Sequence, residues 1–297
     1  MKVVFVHGRA QEKKDARGLL DSWLSAANNG LSALSYAPIT AANAALPYYG
    51  DLLFGLTEES GRAAFKELVD KGAESAAPSA EEQAFMQAII LETAQAKGIS
   101  TAAVAAEAGE VVVDKDVQNW KVVLAALRLL DRVDGVGQTM IELRTRDVWI
   151  YLTRLGVRKQ INDLVSAALP ETDPCVVVSH SLGTVIAYNV LMGRGSRANV
   201  KAFVTIGSPL GINAVYSRLP SDVKPRKAPE GVEAWFNARD PQDTVALYEI
   251  NPSFFRGLPT VKNYSAVANN SPNRHDIVRY LEDRTIAGTI GAAINAG

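Results

Sequence analysis

The stretch VVVSHSLGTVIAYNVL, residues 176–191, constrains the fold more than any other part of the chain. Three consecutive valines after Cys175 read as a strand buried on both faces, since a strand with one wet face alternates apolar and polar residues. The run breaks at Ser179-His180-Ser181-Leu182-Gly183 and continues as a helical pattern. A strand that turns at once into a helix brings the two elements tightly together. Small residues are then needed two before and two after the tip of the corner, and the side chain at the tip, Ser181, is left projecting. Such a serine is either a nucleophile or a helix cap, and both readings suit the position.

Other short apolar runs recur at Val3–Val6, Leu34–Ala37, Ala202–Ile206, Val232–Phe236 and Val261–Tyr264. Helical patterns lie between them at Gly18–Asn28, Ser181–Met192, about Ile212–Leu219, and Asp276–Asp283. This alternation predicts an α/β fold, a mostly parallel sheet flanked by helices. It stops between residues 50 and 137, where TEESGRAAFKELVD, SAEEQAFMQAIILETAQA and DKDVQNWKVVLAALRLLDRV have helical periodicity. Acidic residues in their first turns suit the helix dipole. The expected organisation is a core of residues 1–49 and 138–297 with a helical insertion at 50–137, either a lid over a site or a surface for a homodimer. A further helical pattern over Thr139–Leu169 leads into the Cys175 strand, and KPRKAPEG, Lys224–Gly231, reads as a solvated loop.

Composition narrows the function by exclusion. Lys and Arg number 31 against 32 Asp and Glu, a net charge of −1, so no broad field draws the chain to nucleic acid or an anionic membrane. The single cysteine, Cys175, leaves no internal disulfide or cysteine-built metal site and reads as a small buried hydrophobe. No run reaches the ~18 apolar residues that cross a bilayer, and the apolar run after Lys2 is too short for a signal-peptide core. A soluble cytoplasmic protein without a transmembrane segment is expected. With no P-loop, dinucleotide-binding turn or metal-ligand cluster, neither cofactor nor metal is expected.

A serine hydroxyl is a poor nucleophile until a base takes its proton, and histidine suits that work at neutral pH. The chain has three histidines. His180 adjoins Ser181 and leaves the corner in another direction. His7 ends the first strand, where it would shape the following loop. His275 falls after the last strand and before a helix, and is the expected base; the alternative is a surface histidine at a helix start. An acid must orient the imidazole, and ARDPQDTVAL offers Asp240 and Asp243. Asp243 is favoured because the following TVAL could pin the loop beneath the histidine. An oxyanion would need two backbone N–H groups, from Leu182 and from Arg9 or Ala10 in the loop after the first strand.

Taken in order, VFVHGR, VVVSHSLGTVIAY, TIGSPLG, WFNARDPQDTVA and HDIVRYL resemble the α/β-hydrolase superfamily, most closely its lipase and esterase branches. The resemblance implies a serine hydrolase that works through an acyl-enzyme on a small-molecule ester, with Ser181, His275 and Asp243 or Asp240 as its triad. Acyltransferases and thioesterases use the same triad. A binding protein of this fold and a scaffold built on the helical insertion are the non-catalytic alternatives. The sequence departs from the family pattern in three ways. Ser179 stands where the elbow begins with glycine, the acid loop holds two aspartates, and no strands precede the first.

Overall fold

Strands Val3–Val6 and Val176–Val178 lie side by side in the interior of one sheet, as runs too apolar for a sheet edge must. The computed structural model describes residues 1–9, 11, 13–55, 79–109, 120–134, 138–220 and 226–296. Its strands are β1 (Lys2–Val6), β2 (Ala44–Ala45), β3 (Cys175–His180), β4 (Val200–Ile206), β5 (Arg226–Lys227), β6 (Trp235–Ala238), β7 (Phe255–Arg256) and β8 (Val261–Tyr264). Six form one sheet in the order β2-β1-β3-β4-β6-β8, with every pairing parallel. Val4 stands opposite Val177, Val178 opposite Val204, and Ile206 opposite Ala238. The chain leaves β1 toward β2 on one side and returns to β3 on the other. The strand order therefore reverses between β1 and β3, and α/β sheets open a crevice beyond the carboxyl ends at such a point.

The helices are α1 (Ala16–Ser32), α2 (Ala80–Ala96), α3 (Thr101–Ala108), α4 (Trp120–Asp134), α5 (Gln138–Thr153), α6 (Leu155–Ala168), α7 (Leu182–Arg194), α8 (Asn213–Arg218), α9 (Ile277–Leu281) and α10 (Arg284–Asn295). One face of the sheet, with Val3, Phe5, Val176, Val178, Val204 and Phe236, packs against Trp23 and Leu31 of α1, Tyr280 of α9, and Ile286 and Ile290 of α10. Because side chains alternate across a strand, Val4, Val177 and Phe203 point to the opposite face, and all three are buried.

The chain divides into two compact units, Met1–Leu52 with Leu155–Gly297, and Leu53–Arg154. In the second, Ile90 and Ala94 of α2, Val104 of α3, and Val123, Leu127 and Leu130 of α4 form a separate core. Ser79 caps α2 by accepting the Glu82 N–H, and Glu81 and Glu82 occupy its first turn. The segment TEESGRAAFKELVD lies outside the described residues. Among the described residues no helix is long and apolar enough to cross a membrane.

Several expected elements differ. Leu34–Ala37 is no strand: Leu34 and Ser35 donate backbone hydrogen bonds to Leu31 and Ser32, and the edge strand falls at Ala44–Ala45. The run is apolar because it covers α10, where Tyr36 packs so closely on Gly291 that an added Cβ would lie 2.6 Å from its ring. The pattern Val232–Phe236 becomes a strand only from Trp235, with Val232 forming a lone bridge to Val200. Thr139–Leu169 is two helices, not one, broken at Arg154 where the two units divide. The helix α10 has no counterpart in the sequence reading. Its N-cap Asp283 accepts the Thr285 and Ile286 N–H groups, and its glycines and alanines hide a short Ile286–Ile290 stripe.

The expected solvated loop at Lys224–Gly231 is also corrected from Arg226 on, Lys224 and Pro225 lying outside the described residues. Arg226 and Lys227 pair in parallel with Phe255 and Arg256, and Arg226 is 2% exposed. Its Nε donates to the Tyr216 carbonyl at 3.2 Å while the guanidinium sits 5.4 Å from the Tyr216 ring centroid. A charge satisfied in this way can be buried, which a count of Lys, Arg and Pro does not reveal.

Candidate active site

Ser181 sits between the last residue of β3 and the first of α7 with φ 57° and ψ −132°. A side chain there clashes with its own backbone, and such conformations cost about 1–3 kcal/mol and persist only where the surroundings enforce them. Here the surroundings do. The Ser181 N–H donates to Ile206 O at 3.0 Å, and its carbonyl accepts from the Thr184 N–H at 2.9 Å and the Thr184 hydroxyl at 2.7 Å. The Thr184 hydroxyl also shares a 2.8 Å hydrogen bond with Ser208. Below the corner, a Cβ on Gly183 would lie 2.3 Å from Val6 O and 2.5 Å from His7 O, so only glycine lets α7 descend this close to β1. Ser179 is fully buried, and its hydroxyl donates to Val204 O at 3.1 Å. This hydrogen bond satisfies a hydroxyl that would otherwise be buried unpaired two residues before the corner.

The loop after β1 borders the corner. A Cβ on Gly8 would fall 2.6 Å from the Ser181 Cβ. His7 is buried against Tyr49, their rings stacked at 3.9 Å. Its Nε2 accepts the Tyr49 N–H at 3.1 Å, so its single proton lies on Nδ1, which faces Gly8 O at 2.6 Å. The Tyr49 hydroxyl donates to His7 O. Burial, opposed by the hydrogen bond to Gly8, lowers the His7 pKa to about 4, so the ring stays neutral. His7 thus braces the loop. Arg9 lies in this loop half-buried, its carbonyl accepting from the Gln11 side chain at 3.1 Å. Ala10 lies outside the described residues. Leu182 is buried as the first residue of α7, where a backbone N–H has no acceptor within the helix.

The acid and base come from loops after β6 and β8. Nδ1 of His275 lies 2.7 Å from Asp243 Oδ2. Asp243 is buried, and its Oδ1 accepts the Val245 N–H at 2.7 Å and the Ala246 N–H at 3.3 Å. Ala246 and Leu247, from the TVAL run, are buried behind it. Burial raises the Asp243 pKa, but the charge and hydrogen bond of His275, the Val245 N–H and the Tyr280 hydroxyl outweigh it and hold the carboxyl at about 2. Asp240 does different work. Its carboxylate accepts the Gln242 N–H at 2.7 Å and the Asn269 N–H at 2.8 Å, and lies 3.9 Å from Arg274. It shapes the loop and has no bond to His275.

Base and corner share one neighbourhood. Gly207, next to the Ile206 that holds Ser181, has φ 58°, and a Cβ there would lie 3.0 Å from His275 Cε1 and 3.2 Å from Asp243 Oδ2. The His180 ring lies 4.4 Å from that of His275, and its Nε2 bonds His275 O at 3.0 Å. Nε2 of His275 is buried without a hydrogen-bond partner among the described residues, so Ser181 and His275 are not directly bonded. No group of three or more metal-ligating side chains occurs among the described residues.

Sequence reasoning did not single out Tyr280, whose hydroxyl lies 2.8 Å from Asp243 Oδ2. The residue is legible in HDIVRYL only as an apolar position of a short helix. Compared with family models, curated proteins and solved structures, the chain matches none.

Proposed function

We propose that this chain is a serine hydrolase of the α/β-hydrolase type that cleaves a carboxylic ester of a small molecule through an acyl-enzyme. One observation carries the reading. A non-glycine residue with a hydroxyl is held at φ 57° and ψ −132° on a strand-to-helix corner, at the same carboxyl end of the parallel strands as a buried His275–Asp243 pair 2.7 Å apart. A serine that merely caps a helix needs no such strain, and Ser181 makes no side-chain capping bond to α7.

In this mechanism His275 takes the Ser181 proton through Nε2 while Asp243 keeps the imidazole oriented and stabilises its charged form. The Ser181 oxygen attacks the ester carbonyl. The Leu182 N–H and a backbone N–H of the loop after β1, at Arg9 or Ala10, hold the negative charge of the tetrahedral intermediate. His275 then protonates the leaving alcohol, and water activated by the same nitrogen releases the acid. Hydrogen bonds of this kind are often long before substrate arrives and tighten in the complex, which suits a buried Nε2 that has no partner among the described residues. The reaction draws on these side chains and backbone groups alone. The parallel sheet order β2-β1-β3-β4-β6-β8 supports a lipase- or esterase-like core.

A panel of p-nitrophenyl esters of rising acyl length tests the proposal. Wild-type protein should turn over at least one member, and Ser181→Ala should lose at least about 10³-fold of that rate. Turnover that survives in Ser181→Ala would overturn it.

A further inference from the structure

Resting on the hydrolase reading, we infer that Tyr280 is a positioning residue that sets how strongly Asp243 supports His275. The direction of its hydrogen bonds is forced. The backbone N–H of Asp240 can only donate, and it points at the Tyr280 oxygen from 2.8 Å. That oxygen is therefore an acceptor there, and its one proton goes to Asp243 Oδ2, also at 2.8 Å. The same carboxylate oxygen accepts Nδ1 of His275. Two donors thus compete for Oδ2, and both come from one short stretch of chain, His275 just before α9 and Tyr280 within it.

The arrangement does two things. It ties the acid loop to α9 at both the Asp240 backbone and the Asp243 side chain, so acid and base move as one body. It also draws electron density from Oδ2, which weakens the pull of the carboxylate on an imidazolium. Tyr280 is fully buried, and its hydroxyl pKa is driven up, first by burial and then by Asp243, so it remains a neutral donor. The titratable groups next to the pair are His180 from β3, its ring 4.4 Å from that of His275, and Asp240 from the acid loop, whose carboxylate lies 3.9 Å from Arg274. Arg239 is engaged with the Ala246 and Leu247 carbonyls at 2.8 Å. None of these residues is changed in the variants below.

The rate of labelling by a fluorophosphonate probe, followed against pH, reads the effect without a known substrate. In Tyr280→Phe the carboxylate loses a donor and becomes the stronger partner of the imidazolium, so the acid limb of the profile should move to higher pH by about half a unit. In a protein carrying 3-fluorotyrosine at position 280 the packing is kept and the donor is stronger, so the limb should move to lower pH. Opposite shifts support the inference. Coincident limbs for the fluorinated and wild-type proteins, or a downward shift in Tyr280→Phe, would overturn it. If Tyr280→Phe does not fold, the fluorinated protein decides alone. Failure of wild-type protein to label at all would instead count against the hydrolase reading.

Discussion

The two halves of the candidate site are held by different physics. The corner at Ser181 is fixed by exclusion: Gly183 and Gly8 leave no room for a Cβ, and β3, β1 and α7 meet at backbone contact distance. The acid and base are fixed by attraction, with Asp243 accepting from His275, Tyr280, Val245 and Ala246. Exclusion depends on small residues at the points where two backbones meet. Attraction depends on buried polar side chains, His275 and Tyr280, that the chain brings from more than thirty positions away. The first kind of constraint should fail through added volume, the second through added protons.

The largest effect is expected from Gly183→Ala. Its new methyl group would meet the Val6 and His7 carbonyls, which are backbone and cannot step aside, so the fold should lose at least about 3 kcal/mol. Thermal or urea unfolding checks this, and a loss under 1 kcal/mol would mean that the corner is looser than the geometry implies.

Acid should separate the halves next. His7 is lowered from 6.5 to about 4 by burial, and Asp243 from 3.8 to about 2 by its partners against burial. Both folded values lie below the unfolded ones, so each contribution is fully present above the unfolded value and disappears as pH falls through the folded one. The β1 loop should therefore cost the fold about 3 kcal/mol between pH 6.5 and 4, and the acid loop about 2 kcal/mol more between pH 3.8 and 2. Urea unfolding across this range should show two falls. His7→Asn should flatten the upper one and Asp243→Asn the lower. A wild-type stability unchanged from pH 6.5 to 4 would contradict the buried neutral His7.

Relief of strain gives a smaller effect of opposite sign. Ser181→Gly should stabilise the protein by about 1 kcal/mol, since glycine adopts this backbone freely, and should abolish activity. The smallest change belongs to Ser179→Gly, which removes the hydrogen bond to Val204 O and should cost within about 1 kcal/mol with activity retained. A large loss there would mean that the hydroxyl, rather than the small size, is what the position requires.

The same contrast explains what was legible in the sequence. Small residues at 179 and 183 around Ser181 lie within five positions, so the strand, the turn and the helix could all be read from VVVSHSLGTVIAY. The parallel α/β sheet followed from valine-rich runs for the same reason. Leu34–Ala37 misled because its apolar residues face a helix that arrives some 250 positions later, and that helix was itself hidden among glycines and alanines. Asp240 and Asp243 are alike in local context. Only the fold shows that one accepts backbone N–H groups of its own turn and of Asn269 while the other meets His275 and Tyr280. The buried Arg226 escaped for a similar reason, because its partners at Tyr216 and Ser217 precede it by about ten residues.

The central claim is that Ser181 is activated by the His275–Asp243 pair and not by Asp240. Mapping a fluorophosphonate adduct by mass spectrometry, with its rate of formation in Asp243→Asn and Asp240→Asn, tests this most directly. The adduct should lie on Ser181, its formation should slow on the order of 10⁴-fold in Asp243→Asn, and it should stay within about tenfold of wild type in Asp240→Asn. An adduct elsewhere, or a slower reaction in Asp240→Asn than in Asp243→Asn, would contradict it.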